Sequence, residues 1–270
     1  MKAAGVQIIY SVTALKVHAK VALVKTRNGD RVNYSGLLAT GNFNEGTAKF
    51  YTDHILLTTN RDLLREVELL FIFLARREKP SKSKPIKFEH ILVAQFNLQT
   101  RFLALIDREI ANQKQGLPAG ITIKMNNLEE QVMINKLYEA SQAGVKINLI
   151  IRGICCLIPG VAGMSENISV RRIVDRYLEH GRVFIFNNNN NPEIYMGSAD
   201  WMNRNIYNRI EVCFPVYDTD IKKQLMHMID LQLKDNVQAV IIDEHLNQIR
   251  PETVGEPLQS QKEIYRFLNN

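Results

Sequence analysis

The sequence predicts an α/β fold laid out as two similar sets of elements, and three observations lead to it. Short runs rich in β-branched residues alternate with longer stretches whose apolar residues recur at helical spacing. Ala4-Gly-Val-Gln-Ile8 is echoed by Ala143-Gly-Val-Lys-Ile147, each opening a strand. A polar, lysine-rich stretch, Lys79–Lys87, separates the two sets as a linker or loop would. A helix precedes the second copy of the echo, whereas only Met1–Ala3 precedes the first. The chain is therefore expected to be a piece of a longer protein, with the first set lacking its beginning.

In chain order, Gly5–Val12, Ala19–Lys25, Val32–Thr40 and His54–Thr59 read as strands. Thr59-Asn-Arg-Asp62 supplies capping residues for a helix with Leu63, Leu64, Val67, Leu70, Phe71 and Leu74 at core spacing. After the linker, Leu98–Gln115 and Leu128–Ala143 read as helices, with Ile121–Met125 and Val145–Ile151 as strands. Ser169–Glu179 reads as a helix, because Val170, Ile173, Val174, Tyr177 and Leu178 fall on one face at that period. Strands Val183–Phe186, Glu193–Met196 and Ile210–Val216 follow, then a helix over Thr219–Leu233 and a short one near Lys262–Leu268. The run Asn187–Asn191 is a polar connection between two strands.

Composition narrows the function classes. With 270 residues, 46% hydrophobic and 23% charged, the chain can bury a substantial core and is neither disordered nor collagen-like. Its 3 cysteines form neither a disulfide framework nor a metal-ligand spacing, which fits a reducing, cytoplasmic compartment. No window approaches the about 18 apolar residues of a membrane-spanning helix. The net charge of +6 favours anionic partners.

Common phosphate motifs fail. Gly41 to Gly46 has P-loop glycine spacing, but Thr47 stands where the lysine should be. The pair His18 and Lys20 is more informative, since residues two apart on a strand share a face. An imidazole is a competent nucleophile toward phosphorus, and an adjacent ammonium neutralises a phosphate oxygen. Downstream, Ala39-Thr-Gly-Asn-Phe-Asn44 forms a small polar turn, with Asn42 open to an anion. The second set repeats the plan with His180-Gly-Arg182, then Gly197-Ser198-Ala-Asp-Trp201.

This arrangement resembles the phospholipase D superfamily, in which two half-sites meet and one histidine attacks phosphorus. More specifically, Leu15-Lys-Val-His-Ala-Lys20, Ala39-Thr-Gly-Asn-Phe-Asn-Glu45, Phe50-Tyr-Thr-Asp53 and Ser198-Ala-Asp-Trp-Met-Asn-Arg-Asn205 are similar to the C-terminal half of the type 1 bacterial polyphosphate kinase family. The resemblance runs from about residue 3 to about residue 250. It implies two phospholipase D-like α/β domains related by an internal repeat, residues 1–85, N-terminally truncated, and residues 86–270. It also implies reversible transfer of the terminal phosphate of ATP to polyphosphate through a phosphohistidine at His18. Tyr51, Arg152 and His180 match positions that contact ATP, with His180 also a proton donor to the leaving group. Lys20, Asn42 and Ser198 are added from the half-site geometry. The resemblance further implies Mg2+ with the nucleotide, its metal-site residues lying upstream of this chain. Homo-oligomers are implied too, with peripheral membrane association in the whole protein and no nucleic-acid partner.

Plainer roles stand beside these. His180, at the end of the expected 169–179 helix, would serve as a C-terminal cap, and Arg152 would pair with Glu179 or Asp200. Trp201 and Met202 would be core residues, and Cys155 and Cys156 inert buried thiols. His54, His90, His227 and His245 receive no role. Two further functions remain open: a phospholipase D-type phosphodiesterase acting on lipid or nucleic acid, and a non-catalytic fragment that binds polyphosphate or nucleotide.

Overall fold

The computed structural model describes residues 2–12, 15–80, 86–251 and 255–269. The first half contains β1 (Lys16–Val17), β2 (Lys20–Asn28), β3 (Arg31–Ala39), α1 (Glu45–Ala48), β4 (Tyr51–Thr52), β5 (Ile55–Thr58) and α2 (Arg61–Ala75). β2, β3 and β5 form a three-stranded antiparallel sheet. α2 starts where the Asn60 side chain accepts from the Leu63 backbone N–H, satisfying one of the free donors at a helix start. Its buried stripe of Leu63, Leu64, Val67, Leu70 and Phe73 packs with Leu38 and Leu56 of the sheet.

The second half runs β6 (Leu92–Val93), α3 (Leu98–Lys114), β7 (Ile121–Met125), α4 (Gln131–Gln142), β8 (Ile147–Ile151), β9 (Ile168–Ile173), β10 (Leu178–Glu179) and β11 (Arg182–Phe186). It continues with β12 (Glu193–Gly197), α5 (Asn203–Asn208), β13 (Arg209–Ile210), β14 (Val212–Pro215), α6 (Thr219–Lys234), β15 (Ala239–Ile242), β16 (Gln248–Ile249) and α7 (Ser260–Asn269). Nine of these strands form one mixed sheet in the order β16-β15-β9-β8-β7-β11-β12-β14-β6. Its centre, β7-β8-β9, is parallel, and α4 makes the crossover from β7 to β8. One face packs on α3 and α4 around Phe102, Phe184 and the fully buried Trp201. The other face joins Val183, Ile194 and Phe214 to Leu225 and Ile229 of α6, and to α2 and the small sheet, in a single core cluster. The two halves thus share a core.

Several expectations change. Gly5–Val12 is no strand: it pairs with nothing among the described residues and is largely exposed, and β-prone composition does not make a strand without a partner. Ser169–Glu179 is not a helix. Ile168, Val170 and Ile173 are buried in β9, between β8 and β15, while Val174 and Tyr177 of the expected helical face are 68% and 40% exposed. An apolar run inside a sheet needs no strict alternation, and its spacing imitates a helical face. His180 consequently follows a strand and caps no helix. β15 was not anticipated. Cys156 is exposed rather than buried, because Leu157 takes the inward position beside it.

Other expectations agree. Asn187–Asn191 connects the antiparallel β11 and β12, with positive φ at Asn188, Asn189 and Asn190, a conformation asparagine tolerates. Trp201 and Met202 are buried. Positions 81–85 of the expected linker lie outside the described residues. Among the described residues no helix is long and apolar enough to cross a membrane.

Candidate active site

Two short parallel ribbons join the halves, and each delivers a histidine to a carboxylate. β1 pairs with β13, Lys16 opposite Arg209 and Val17 opposite Ile210, so the next residues, His18 and Glu211, emerge side by side. β4 pairs with β10, Tyr51 opposite Leu178 and Thr52 opposite Glu179, so Asp53 and His180 do the same. Each histidine is therefore held by a carboxylate of the other half. His18 Nδ1 lies 2.8 Å from Glu211 Oε2, and His180 Nδ1 lies 2.9 and 3.0 Å from the Asp53 oxygens. An ionised carboxylate can only accept, so Nδ1–H donates in both pairs.

A hydroxyl backs each carboxylate from 13 positions earlier in the chain: Thr40 Oγ1 donates to Asp53, and Ser198 Oγ to Glu211. Asn205 donates to the other Glu211 oxygen at 2.6 Å, leaving this fully buried carboxylate well satisfied. Burial works to raise the Asp53 carboxyl, but the hydrogen bonds from His180 and Thr40 prevail and hold it below the ordinary value. His180 is pulled down by burial, against the opposing pull of Asp53.

The cations differ between the half-sites. Lys20 Nζ donates to the His18 carbonyl at 2.6 Å, and Arg182 Nη1 to the His180 carbonyl at 2.9 Å. Arg182 is also locked to Asp200, Nε to Oδ1 at 3.1 Å and Nη2 to Oδ2 at 3.4 Å. At the step after Thr40 that Asp200 occupies after Ser198, the first half has Asn42. Lys20 is thus without a carboxylate hydrogen-bond partner among the described residues, and burial pulls its ammonium down from 10.5 to about 8 against the attraction of Glu211.

Tyr51, Arg152 and Ser198 also reach these groups. Tyr51 lies over His180 with ring centroids 4.8 Å apart, tilted by 43°. Arg152, half-buried, donates from Nε to Asn126 Oδ1, and Asn126 Nδ2 donates to the His180 carbonyl at 3.3 Å. Arg152 makes no direct ion pair with Glu179 or Asp200, though it senses both charges. Asn42 is exposed, whereas Ser198 is fully buried with its hydroxyl donating to Glu211. Sequence reasoning missed Asp53 and Glu211 as partners of the histidines. The equal hydroxyl-to-carboxylate interval was the available signal.

Among the described residues no group of three or more His, Cys, Asp or Glu could hold a metal ion. The site's own carboxylates are occupied by the histidines, hydroxyls and Arg182, so their donor set does not fit a resident Mg2+.

Fold and site together define an α/β protein in which two halves exchange carboxylates to orient paired histidines. Residues 1–80 match the family description "Polyphosphate kinase C-terminal domain 1", and residues 91–261 match "Polyphosphate kinase C-terminal domain 2". The chain belongs to the polyphosphate kinase family. It is 44% identical over 268 residues to a polyphosphate kinase of Vibrio parahaemolyticus, covering 99% of this chain and 38% of that protein. It is 43% identical over 269 residues to that of Escherichia coli, again with 99% and 38% coverage. A crystal structure of polyphosphate kinase from Porphyromonas gingivalis superposes with a TM-score of 0.92 at 43% identity, over 99% of this chain and 41% of that one. The chain thus spans about two fifths of the length of these relatives.

Proposed function

We propose that this chain carries the phosphoryl-transfer site of a polyphosphate kinase, with two phospholipase D-like halves forming one cleft and His18 as the nucleophile. The observation that carries this reading is the contrast between the two imidazoles. With Nδ1–H donated to Glu211, a neutral His18 presents its lone pair at Nε2, and that atom has no hydrogen-bond partner among the described residues. At His180, by contrast, Arg182 Nη1 lies 3.2 Å from Nε2 and competes for the lone pair.

This geometry supports the following reaction. His18 Nε2 attacks the terminal phosphorus of ATP, the bond from that phosphorus to the bridging oxygen breaks, and ADP departs with the electron pair. The Nδ1 proton stays on the ring against Glu211, which stabilises the positive charge that would otherwise build there. A terminal oxygen of polyphosphate then attacks the phosphohistidine, the P–N bond breaks, and neutral His18 returns. Lys20, Arg152 and Arg182 neutralise phosphate oxygens, and Tyr51 contacts the nucleotide. His180 donates its Nδ1–H to Asp53, so only the doubly protonated ring could give a proton to ADP. The bound phosphates favour that form electrostatically. Ser198 acts through Glu211, and Asn42 faces the entering anion. Mg2+ carried by the nucleotide would neutralise phosphate charge, and no residue of this site is assigned to hold it.

The test is phosphate incorporation from γ-labelled ATP with magnesium. Acid-labile label in the wild-type chain and none in His18→Ala supports the reading. Label retained in His18→Ala refutes the assignment of the nucleophile. Diesterase turnover without ATP would favour the phosphodiesterase reading instead.

A further inference from the structure

The residue before His180 is a buried acid that accepts four side-chain hydrogen bonds, each from a different element. Glu179 is 3% exposed. Its Oε2 accepts from Lys124 of β7, from Gln232 of α6 at 2.8 Å and from Thr52 of β4 at 3.2 Å. Its Oε1 accepts from Gln261 of α7 at 2.7 Å. Burial works against ionisation of Glu179, and the Lys124 ammonium outweighs it, keeping the carboxyl below its ordinary value.

Gln261 does more than close this ring. Its Nε2 also donates to the Tyr177 carbonyl at 2.9 Å, and its Oε1 accepts from the Tyr177 N–H at 3.0 Å. Two residues earlier, Gln259 donates to both oxygens of Asp175, at 3.0 and 2.8 Å. The start of α7 therefore grips the segment leading into His180 at Asp175, Tyr177 and Glu179. Apolar packing offers that segment little, since Val174 and Tyr177 are exposed.

The grip is rigidly mounted. Asp235, just after α6, accepts from the Ser260 N–H at 2.7 Å with one oxygen and from the backbone of residues 237–239 with the other. Asn236 accepts from the Leu258 N–H at 2.8 Å. On its far side, His180 is fixed independently: Arg182 and Asn126 hold its carbonyl, and the Gly181 N–H donates to the Thr52 carbonyl at 2.8 Å. The upstream side depends on β10 pairing with β4 and on α7.

We propose that Gln261 is a positioning residue for His180: through Tyr177 and Glu179 it sets the register of β10 on β4, and hence the meeting of the His180 ring with Asp53. The C-terminal helix thereby becomes part of the machinery that orients the second histidine. The inference rests on the reading of His180 as a residue of the phosphate site, but its test uses no turnover, so the two can fail separately.

The experiment is 15N NMR of the histidine side chains in the full chain at one fixed pH, comparing wild type with Gln261→Met. Methionine keeps length and packing and removes the hydrogen bonds. Leu268→Ala, farther along α7 and without hydrogen bonds to residues 175–179, supplies a control, matched with denaturant for fraction folded. The expected result is loss of the pure Nδ1–H tautomer signature at His180 in Gln261→Met, with His18 unchanged and Leu268→Ala like wild type. Wild-type His180 shifts in Gln261→Met, or an equal change in Leu268→Ala, would overturn the proposal.

Discussion

His18 and Glu211 stand 193 positions apart in the chain and 2.8 Å apart in the structure. Nothing local in either segment requires the other. The contact exists because β1 and β13 run parallel and end together, so that one ribbon carries both residues to the same point.

Glu211→Gln tests the orienting role of that carboxylate. The amide matches its shape, but its NH2 would face a hydroxyl or amide donor, and it can hold His18 in the other tautomer. Phosphohistidine formation is expected to fall about 10²- to 10⁴-fold, the scale on which loss of an orienting carboxylate acts in comparable sites. Rapid-quench labelling with circular dichroism alongside separates this from unfolding. A fall below tenfold with an intact fold would contradict the role.

Gly41→Ala tests the close packing behind His180. A Cβ at this position would sit 1.8 Å from Asp53 Oδ2, while that carboxylate is tied to Thr40 and His180. The carboxylate must leave one partner, which costs about 1–3 kcal/mol. Thermal unfolding should show this loss, and the His180 ring signals should move with it.

Lys20 should make anion binding depend on pH. Burial lowers its ammonium to about 8, and a bound polyphosphate stabilises the charged form. Affinity should therefore weaken as pH rises through about 8, as the free protein loses that proton. Lys20→Gln should remove this dependence and weaken binding at neutral pH about tenfold. Titrations with a labelled polyphosphate at several pH values and constant ionic strength read both effects.

His54 sets a stability window. Burial, followed by the Lys124 charge, pulls it from 6.5 to about 4. As pH falls through this interval the unfolded chain takes up a proton that the folded chain refuses, so stability present above 6.5 is lost toward 4. The loss is up to about 3 kcal/mol. His180, lowered in the same direction, adds to it. Urea unfolding from pH 7 to 4 should show the decline, and His54→Gln should reduce its slope.

What the sequence made legible follows from how local each signal is. α2, α3, α4 and α6 carry apolar stripes within their own segments, and their limits agree with expectation to within a few residues. The pairs His18/Lys20 and His180/Arg182 were visible because a two-residue step fixes a shared face. β9 was misread because Val170 and Ile173, buried in a sheet, are spaced like helix neighbours. Asp53 and Glu211 escaped notice as histidine partners because each contact spans more than a hundred residues. Gln261 was hidden for the same reason: its bonds to Tyr177 and Glu179 cross from one end of the second half to its middle.

The two ribbons also decide which substitutions are felt across the seam between the halves. Arg182 finds its carboxylate, Asp200, within its own half, and there the two sites differ: Lys20 and Asn42 stand at the steps that Arg182 and Asp200 occupy in the other half. The histidines find theirs across the seam, and there both sites have a histidine, a carboxylate and a hydroxyl behind it. A substitution at Asp53 is felt by a histidine encoded far downstream, and one at Glu211 by a histidine near the start. A change at either carboxylate therefore reaches the histidine of the other half, whereas the Arg182–Asp200 pair does not cross the seam.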